Sequence, residues 1–209
     1  MQNNENIVIV ASGRFPTAKH SLDILDQASQ IICCDEAADN LLAYGKEPDV
    51  VIGDMDSISD QSRKRFRQIT IQIEEQESND LTKAVNYCVI TGYKSVTILG
   101  ATGLREDHAL GNISLLLEYN QKIKARMVSD YGEFSTLNSG IKVSSYPGEQ
   151  ISFFSTDNKV RVTSEGLKYR LKDIQLHNWW RASLNEVTGE SFVLYFESEW
   201  PLILYRLFK

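Results

Sequence analysis

The sequence predicts an α/β fold: an N-terminal parallel-sheet, Rossmann-like domain followed by a small C-terminal β-sandwich domain. Three observations carry this. Short apolar runs alternate with helix-spaced segments through the first half, strands of period two replace that rhythm after about Asn138, and turn residues rather than helices separate those later strands. The expected domains are residues 1–138 and 139–209.

In the first half, IVIVA (7–11), IICC (31–34), DVVI (49–52), ITIQI (69–73), SVTIL (95–99) and ARMV (125–128) read as strands. Between them Leu81, Ala84, Val85, Cys88 and Val89 fall at i, i+3, i+4, i+7 and i+8, and Leu110, Ile113, Leu116 and Leu117 repeat the pattern. Both segments read as amphipathic helices. Strands joined by crossover helices make a parallel sheet with right-handed connections, and such sheets bind ligands outside the carboxyl ends of their strands. In the second half ISFFS (151–155), KVRVTS (159–164), ESFVLYFES (190–198) and LILYRLF (202–208) alternate as half-buried strands. Pro147-Gly148, Asp157-Asn158, Thr188-Gly189 and Trp200-Pro201 break them. Trp179, Trp180 and Trp200 are expected in the sandwich core. A sandwich of about 70 residues is marginal alone, so packing on the first domain or on a second subunit is expected to support it.

Composition narrows the function classes. A net charge of −6 without a basic run argues against a nucleic-acid partner, and no apolar run approaches the ~20 residues of a membrane span. The first twelve residues lack the basic region and long apolar stretch of an export signal, which points to the cytoplasm. Cys33, Cys34 and Cys88 have no metal-ligand spacing and suit buried apolar roles in a reducing compartment.

The strand exits are where chemistry gathers. Ser12-Gly13-Arg14 follows the first strand, Asp35 the second, Gly53-Asp54-Met55-Asp56 the third, and Gly100-Ala101-Thr102-Gly103 the fifth. Asp80 and Asp107 open the two helices and have an ordinary reading as first-turn acids, with Lys83 a surface ion-pair partner of Asp80. Asp54 and Asp56 are different. In an extended chain their side chains point the same way and repel, and a divalent cation resolves the conflict. Oxygen ligands with no nearby His or Cys suit Mg²⁺. In GATGLREDH (100–108), Gly100 and Gly103 let backbone N–H groups approach a phosphate, Thr102 offers a hydroxyl and Arg105 a bidentate donor. The stretch matches neither the Walker pattern nor GxGxxG. Acids, glycines and an arginine on one rim point to metal-assisted phosphoryl or nucleotidyl-type transfer.

DVVIGDMDSI (49–58), QESNDLTKAV (76–85) and GATGLREDHALGNISLL (100–116) resemble the three sequence blocks of thiamine pyrophosphokinases, in order and with similar spacing. GLKYRL (166–171), RASLNEVTG (181–189) and SEWPLILY (198–205) resemble that family's C-terminal blocks. The resemblance implies a homodimer that transfers diphosphate from ATP to thiamine, giving thiamine diphosphate and AMP. It implies Mg²⁺ on Asp54, Asp56 and Asp80, which with Lys83 form the catalytic group. The nucleotide falls to Asp35, Gly100, Thr102, Gly103, Arg105, Asp107 and His108, and thiamine to Tyr169, Ser183 and Asn185. One departure stands out: Asp35-Glu36-Ala37 replaces the usual Asp-Gly-Gly, and the lost glycines change the freedom of that turn. Two rival readings follow from the residues. One is a phosphohydrolase with Asp54 as nucleophile, since an apolar strand followed by D-x-D opens such enzymes. The other is a non-catalytic thiamine or nucleotide sensor with an altered Asp35 turn.

Overall fold

The computed structural model describes residues 6–209. Residues 1–5, part of the N-terminal stretch expected to lack an export signal, lie outside the described residues. The chain forms two compact units, one ending at Asp130 and the next beginning at Tyr131. The expected boundary at 138/139 is therefore displaced. The physical reason is strand pairing: residues 132–137 form a strand that pairs antiparallel along its length with the last strand of the chain, so this segment belongs to the second unit.

The first unit contains β1 (Ile7–Val10), α1 (Lys19–Asp26), β2 (Gln30–Cys34), α2 (Ala37–Tyr44), β3 (Val50–Gly53), α3 (Asp60–Arg65), β4 (Thr70–Gln72), α4 (Asp80–Thr91), β5 (Ser95–Leu99), α5 (Glu106–Tyr119) and β6 (Lys124–Val128). Its strands run parallel in the order β6-β5-β1-β2-β3-β4. β1 and β3 are buried throughout, as continuous apolar runs must be in a sheet covered on both faces. From β1 the chain winds outward through β2, β3 and β4, then returns to the other side of β1 as β5 and β6. The order thus reverses between β1 and β5, which places a crevice at the carboxyl ends of those two strands.

The helices take their ends from local chemistry. Asn79 caps α4 by accepting from the Thr82 N–H at 2.9 Å, and Gly92 ends that helix with φ +90°. Leu81, Ala84, Val85 and Cys88 are buried as the spacing requires. In α5 the buried face begins later than expected: Leu116, Leu117 and Tyr119 are buried, whereas Leu110 is 52% exposed. Its first turns lie beyond the cover of the sheet and border the site instead. Among the described residues, no helix is long and apolar enough to cross a membrane.

The second unit contains β7 (Gly132–Leu137), β8 (Val143–Ser144), β9 (Gln150–Phe154), β10 (Arg161–Glu165), β11 (Ile174–Gln175), β12 (Ala182–Glu186), β13 (Ser191–Phe196) and β14 (Leu202–Leu207). They form two antiparallel layers, β12-β9-β14-β7 and β11-β10-β13-β8. Ile151, Phe153, Leu202 and Leu204 from one layer meet Val162, Phe192 and Leu194 from the other, with the Phe153 and Phe192 rings edge to face at 5.8 Å. The tryptophans are not part of this core. Trp180 is 65% exposed, Trp179 39% exposed, and Trp200 half-buried, because 177–181 is a loop outside the layers and Trp200 lies in the turn before β14.

Candidate active site

A cavity of about 420 Å³ opens at the β1/β5 crevice of the first unit. Its walls come from the strand exits and from the N-terminal ends of α4 and α5. Ser12 and Gly13 follow β1, Asp35 and Glu36 follow β2, Ala101, Thr102, Leu104 and Arg105 follow β5, Asn79 and Asp80 open α4, and His108 and Asn112 come from α5. The loops at β1 and β5 are in backbone contact: the Gly13 N–H donates to Gly100 O at 2.7 Å, and a Cβ at Gly13 would stand 2.4 Å from that oxygen. Only glycine permits that approach.

Asp54 and Asp56 converge, but not through an extended chain. Met55 between them has φ +67°, and the Asp56 N–H donates to Asp54 Oδ1 at 3.2 Å, so the loop turns back on itself. Gln76 donates to Asp54 Oδ2 at 2.9 Å, and that hydrogen bond, with the Asp56 N–H, holds the Asp54 carboxyl below the usual carboxylate range. The third member of the cluster is Asp35. Oxygens of Asp35, Asp54 and Asp56 lie within 4.8 Å of one another. Sequence reasoning gave that third place to Asp80 and put Asp35 with the nucleotide. Asp80 is instead engaged by Lys83, whose Nζ donates to Oδ1 at 3.0 Å. Lys83 itself is buried beneath the site, not on the surface. This pairing follows from α4, where i and i+3 share a face.

Asp35 has the marks of a ligand-holding acid. It is buried, its Oδ2 accepts the Ser57 N–H at 3.3 Å, and its Oδ1 has no partner among the described residues. Burial pushes its pKa up to about 6, and the charges of Asp80, Asp56 and Asp54 add to the rise against the opposing Ser57 N–H. Gly53 makes room for the cluster: a Cβ there would lie 3.0 Å from Asp35 Cβ and 3.3 Å from Asp80 Cγ. An unpartnered buried oxygen among three converging carboxylates fits a hard divalent cation, which satisfies the oxygen and removes the repulsion together.

The altered turn after Asp35 makes no demand for glycine. Asp35 carries the left-handed backbone, at φ +39°, while Glu36 sits at φ −59°, ψ −17°, open to any residue, and Ala37 already begins α2. The lost glycines therefore leave the position of Asp35 intact.

The glycine loop presents Gly100 and Gly103 with positive φ, as the expected backbone nest requires. Arg105 is exposed and bonded to Asp107 through Nε at 3.0 Å and Nη2 at 2.5 Å. That pairing, joined by the His108 N–H, holds the Asp107 carboxyl down at about 2. Asn112 was missed by sequence reasoning. Its Nδ2 donates to Ala101 O at 2.8 Å and its Oδ1 accepts from Asn79 Nδ2 at 3.0 Å, so it ties the glycine loop to the start of α4. The available signal was its position four residues after His108, on one helix face with it.

In the second unit, Tyr169 is 59% exposed and Ser183 half-buried, with the Ser183 hydroxyl donating to Trp180 O at 2.7 Å. Asn185 is differently employed. It is buried, its Oδ1 accepts the N–H groups of Tyr169 at 3.2 Å and Glu186 at 2.9 Å, and its Nδ2 donates to Tyr169 O at 2.8 Å. These bonds tie Asn185 to both backbone polar groups of Tyr169. Leu184, in the β-bulge between Ala182 and Asn185, has φ +56° and is 78% exposed.

Comparison with known proteins follows the same division of the chain. The family model described as "Thiamin pyrophosphokinase, catalytic domain" matches residues 22–128, and that described as "Thiamin pyrophosphokinase, substrate-binding domain" matches 132–204. The thiamine pyrophosphokinase of Bacillus subtilis (strain 168) is 28% identical over 184 residues, covering 82% of this chain and 84% of the relative. The crystal structure of thiamine pyrophosphokinase from Bacillus subtilis superposes with a TM-score of 0.77 at 26% identity, covering 97% of this chain and 99% of that one. Thiamin pyrophosphokinase from Candida albicans shares the fold, with a TM-score of 0.80 at 17% identity over 97% of this chain and 90% of that one.

Proposed function

This chain belongs to the thiamin pyrophosphokinase family, and on that premise we propose that it transfers diphosphate from ATP to the hydroxyethyl oxygen of thiamine, releasing AMP. The observation that carries the reading is the convergence of Asp35, Asp54 and Asp56, with Asp35 also lining the cavity that Ala101 and Thr102 of the glycine loop border. Asp35, Asp54 and Asp56 would hold the cation, Mg²⁺ by the hardness of the oxygen set, which when bound offsets charge on the phosphate oxygens. The reaction forms a bond from the thiamine oxygen to the β-phosphorus, breaks the bond to the bridging oxygen of AMP, and gives the hydroxyl proton to a carboxylate of the Asp54–Asp56 loop. The Gly100–Gly103 loop orients the phosphates through backbone N–H groups. Lys83 neutralises Asp80 and keeps the floor of the cavity from repelling the nucleotide. In the second unit, exposed Tyr169 offers an aromatic face to the cationic, two-ring substrate, Ser183 a hydroxyl, and Asn185 holds Tyr169 in place.

The rival readings lose their supports. A phosphohydrolase led by Asp54 gives no account of a chain matched from 22 to 204 by catalytic and substrate-binding models of this family. A sensor reading rested on the altered turn, whose backbone is ordinary at Glu36. The protein works as a homodimer, a reading supported by the exposed Tyr169, Trp180 and Leu184 on the small sandwich. Its place is the cytoplasm, in keeping with three buried free cysteines. The test is incubation with Mg²⁺, ATP and thiamine, in which thiamine diphosphate and AMP must appear together. Orthophosphate release without thiamine diphosphate would favour hydrolysis, and mass measurement in solution checks the dimer.

A further inference from the structure

The glycine loop is approached by two arginines whose commitments differ. Arg105 already holds the Asp107 carboxylate with two hydrogen bonds, so its charge is balanced before a nucleotide arrives. Arg14 reaches the same loop from the exit of β1. Its N–H donates to Thr102 O at 2.9 Å, next to the Gly13–Gly100 bond, so the two strand exits are laced backbone to backbone. The Arg14 side chain then runs over Gly103. A Cβ placed on Gly103 would stand 2.9 Å from Arg14 Cβ, 3.6 Å from Cδ and 3.7 Å from Nε. The absence of a side chain at 103 therefore leaves the lane in which the arginine stem lies. Arg14 is exposed, and among the described residues no carboxylate pairs with it.

The charge balance of the cavity gives this placement a meaning. Asp35, Glu36 and Asp80 line the walls, and a polyphosphate brings further negative charge to them. Lys83 is given to Asp80 and Arg105 to Asp107. Arg14 is left as a guanidinium with its planar donor fork free, fixed at its backbone to the loop that bears the nest of N–H groups. We propose that Arg14 is a further nucleotide-binding residue, its guanidinium taking phosphate oxygens of the bound nucleotide at the Gly103 edge of the cavity. The proposal rests on the nucleotide reading of this cavity and deepens it: recognition of the phosphates is divided between the two strand exits, with the uncommitted charge on the β1 side.

The test is calorimetric titration of the full chain with ATP in Mg²⁺ and no thiamine, comparing wild type with Arg14→Ala and Arg14→Lys. A charge-assisted hydrogen-bonding contact predicts that Arg14→Ala weakens ATP binding by about 10- to 100-fold. Arg14→Lys, keeping the charge without the fork, should fall between, and the salt dependence of ATP binding should flatten in the alanine variant. The KM for thiamine should stay within about twofold of wild type, since a guanidinium offers a cation nothing. ATP affinity of Arg14→Ala within about twofold of wild type overturns the proposal. So does a lysine variant as weak as alanine with an equally lowered melting temperature, because that marks a merely structural residue. If wild type binds ATP but makes no thiamine diphosphate, the diphosphotransfer reading fails by itself, and the Arg14→Ala titration still decides the role of the arginine.

Discussion

Two buried carboxylates, one in each unit, are provided for in opposite ways. Glu149 in the sandwich is 4% exposed and fully engaged: Oε1 accepts Arg206 Nε at 2.7 Å, Oε2 accepts Arg206 Nη2 at 2.9 Å, and the Ser145 hydroxyl donates to Oε2. Asp35 in the α/β unit is 2% exposed, stands beside two further acids, and leaves Oδ1 without a partner. Burying a charge is costly unless it is paired. Glu149 meets that requirement within the fold, whereas Asp35 leaves it to be met by something that binds. On the proposed function, the difference separates an acid that serves stability from one that serves chemistry.

The sharpest way to break this comparison is to neutralise the acids of the cluster. Asp35→Asn, Asp54→Asn and Asp56→Asn should each lower turnover by at least ~100-fold, because each removes charge that faces the cation and the reacting phosphates. Without added cation, the melting temperature of Asp35→Asn should equal or exceed that of wild type, since a desolvated charge among like charges has been removed. Near-normal turnover at saturating Mg²⁺, or a clear loss of cation-free stability, would put Asp35 in the same class as Glu149.

The complementary change should do the reverse. Arg206→Ala leaves Glu149 buried with the Ser145 hydroxyl but without its counter-charge, at a cost of about 2 kcal/mol. That is less than the ~3–5 kcal/mol of a fully buried pair, because the Arg206 side chain is 30% exposed. Denaturant titration measures it. Turnover per folded molecule, assayed well below the midpoint, should match wild type.

How much of this was legible in the sequence depends on the range of the interaction. The apolar runs of β1, β2, β3 and β5 and the alternation in β10 and β13 could be read directly, because burial periodicity is local, whereas β9 and β14 each bury three consecutive residues instead of alternating. Asp54 and Asp56 could be singled out because they follow a strand. Their partner Asp35 could not be chosen over Asp80, since that choice rests on a left-handed Met55, on the room left by Gly53 and on a buried Lys83 that engages Asp80. Short β8 and β11, two residues each, have no period to read. The role of Asn185 was hidden because its partner Tyr169 is sixteen residues away and meets it only in the folded sandwich.

Asn185 sharpens the comparison at the next level of effect, since it is buried for the sake of an exposed neighbour. Asn185→Ala should raise the KM for thiamine by about 10-fold through Tyr169 while leaving the KM for ATP unchanged. Combined with Tyr169→Ala, its effect on thiamine should be much less than additive, because both changes act through one ring. Full additivity would mean that Asn185 touches the substrate itself.

The smallest effect belongs to an acid that is neither buried nor unpartnered. Asp107 is exposed and held at about 2 chiefly by its hydrogen bonds from Arg105. A carboxyl whose folded pKa is depressed contributes stability above its unfolded value near 4, and that contribution fades as pH falls through about 2. In water, with both side chains exposed, it is small. Arg105→Ala should therefore leave the denaturation midpoint at neutral pH unchanged within error, while the Asp107 carboxyl, followed by NMR titration, moves back up toward the ordinary aspartate range. The same variant should weaken ATP binding less than Arg14→Ala, because Arg105 must release Asp107 before it can take a phosphate and Arg14 has nothing to release. An Asp107 titration that does not move, or an Arg105→Ala loss of ATP affinity exceeding that of Arg14→Ala, would show that the Arg105–Asp107 pair does not hold in solution and that the charge of Arg105 is available to the nucleotide.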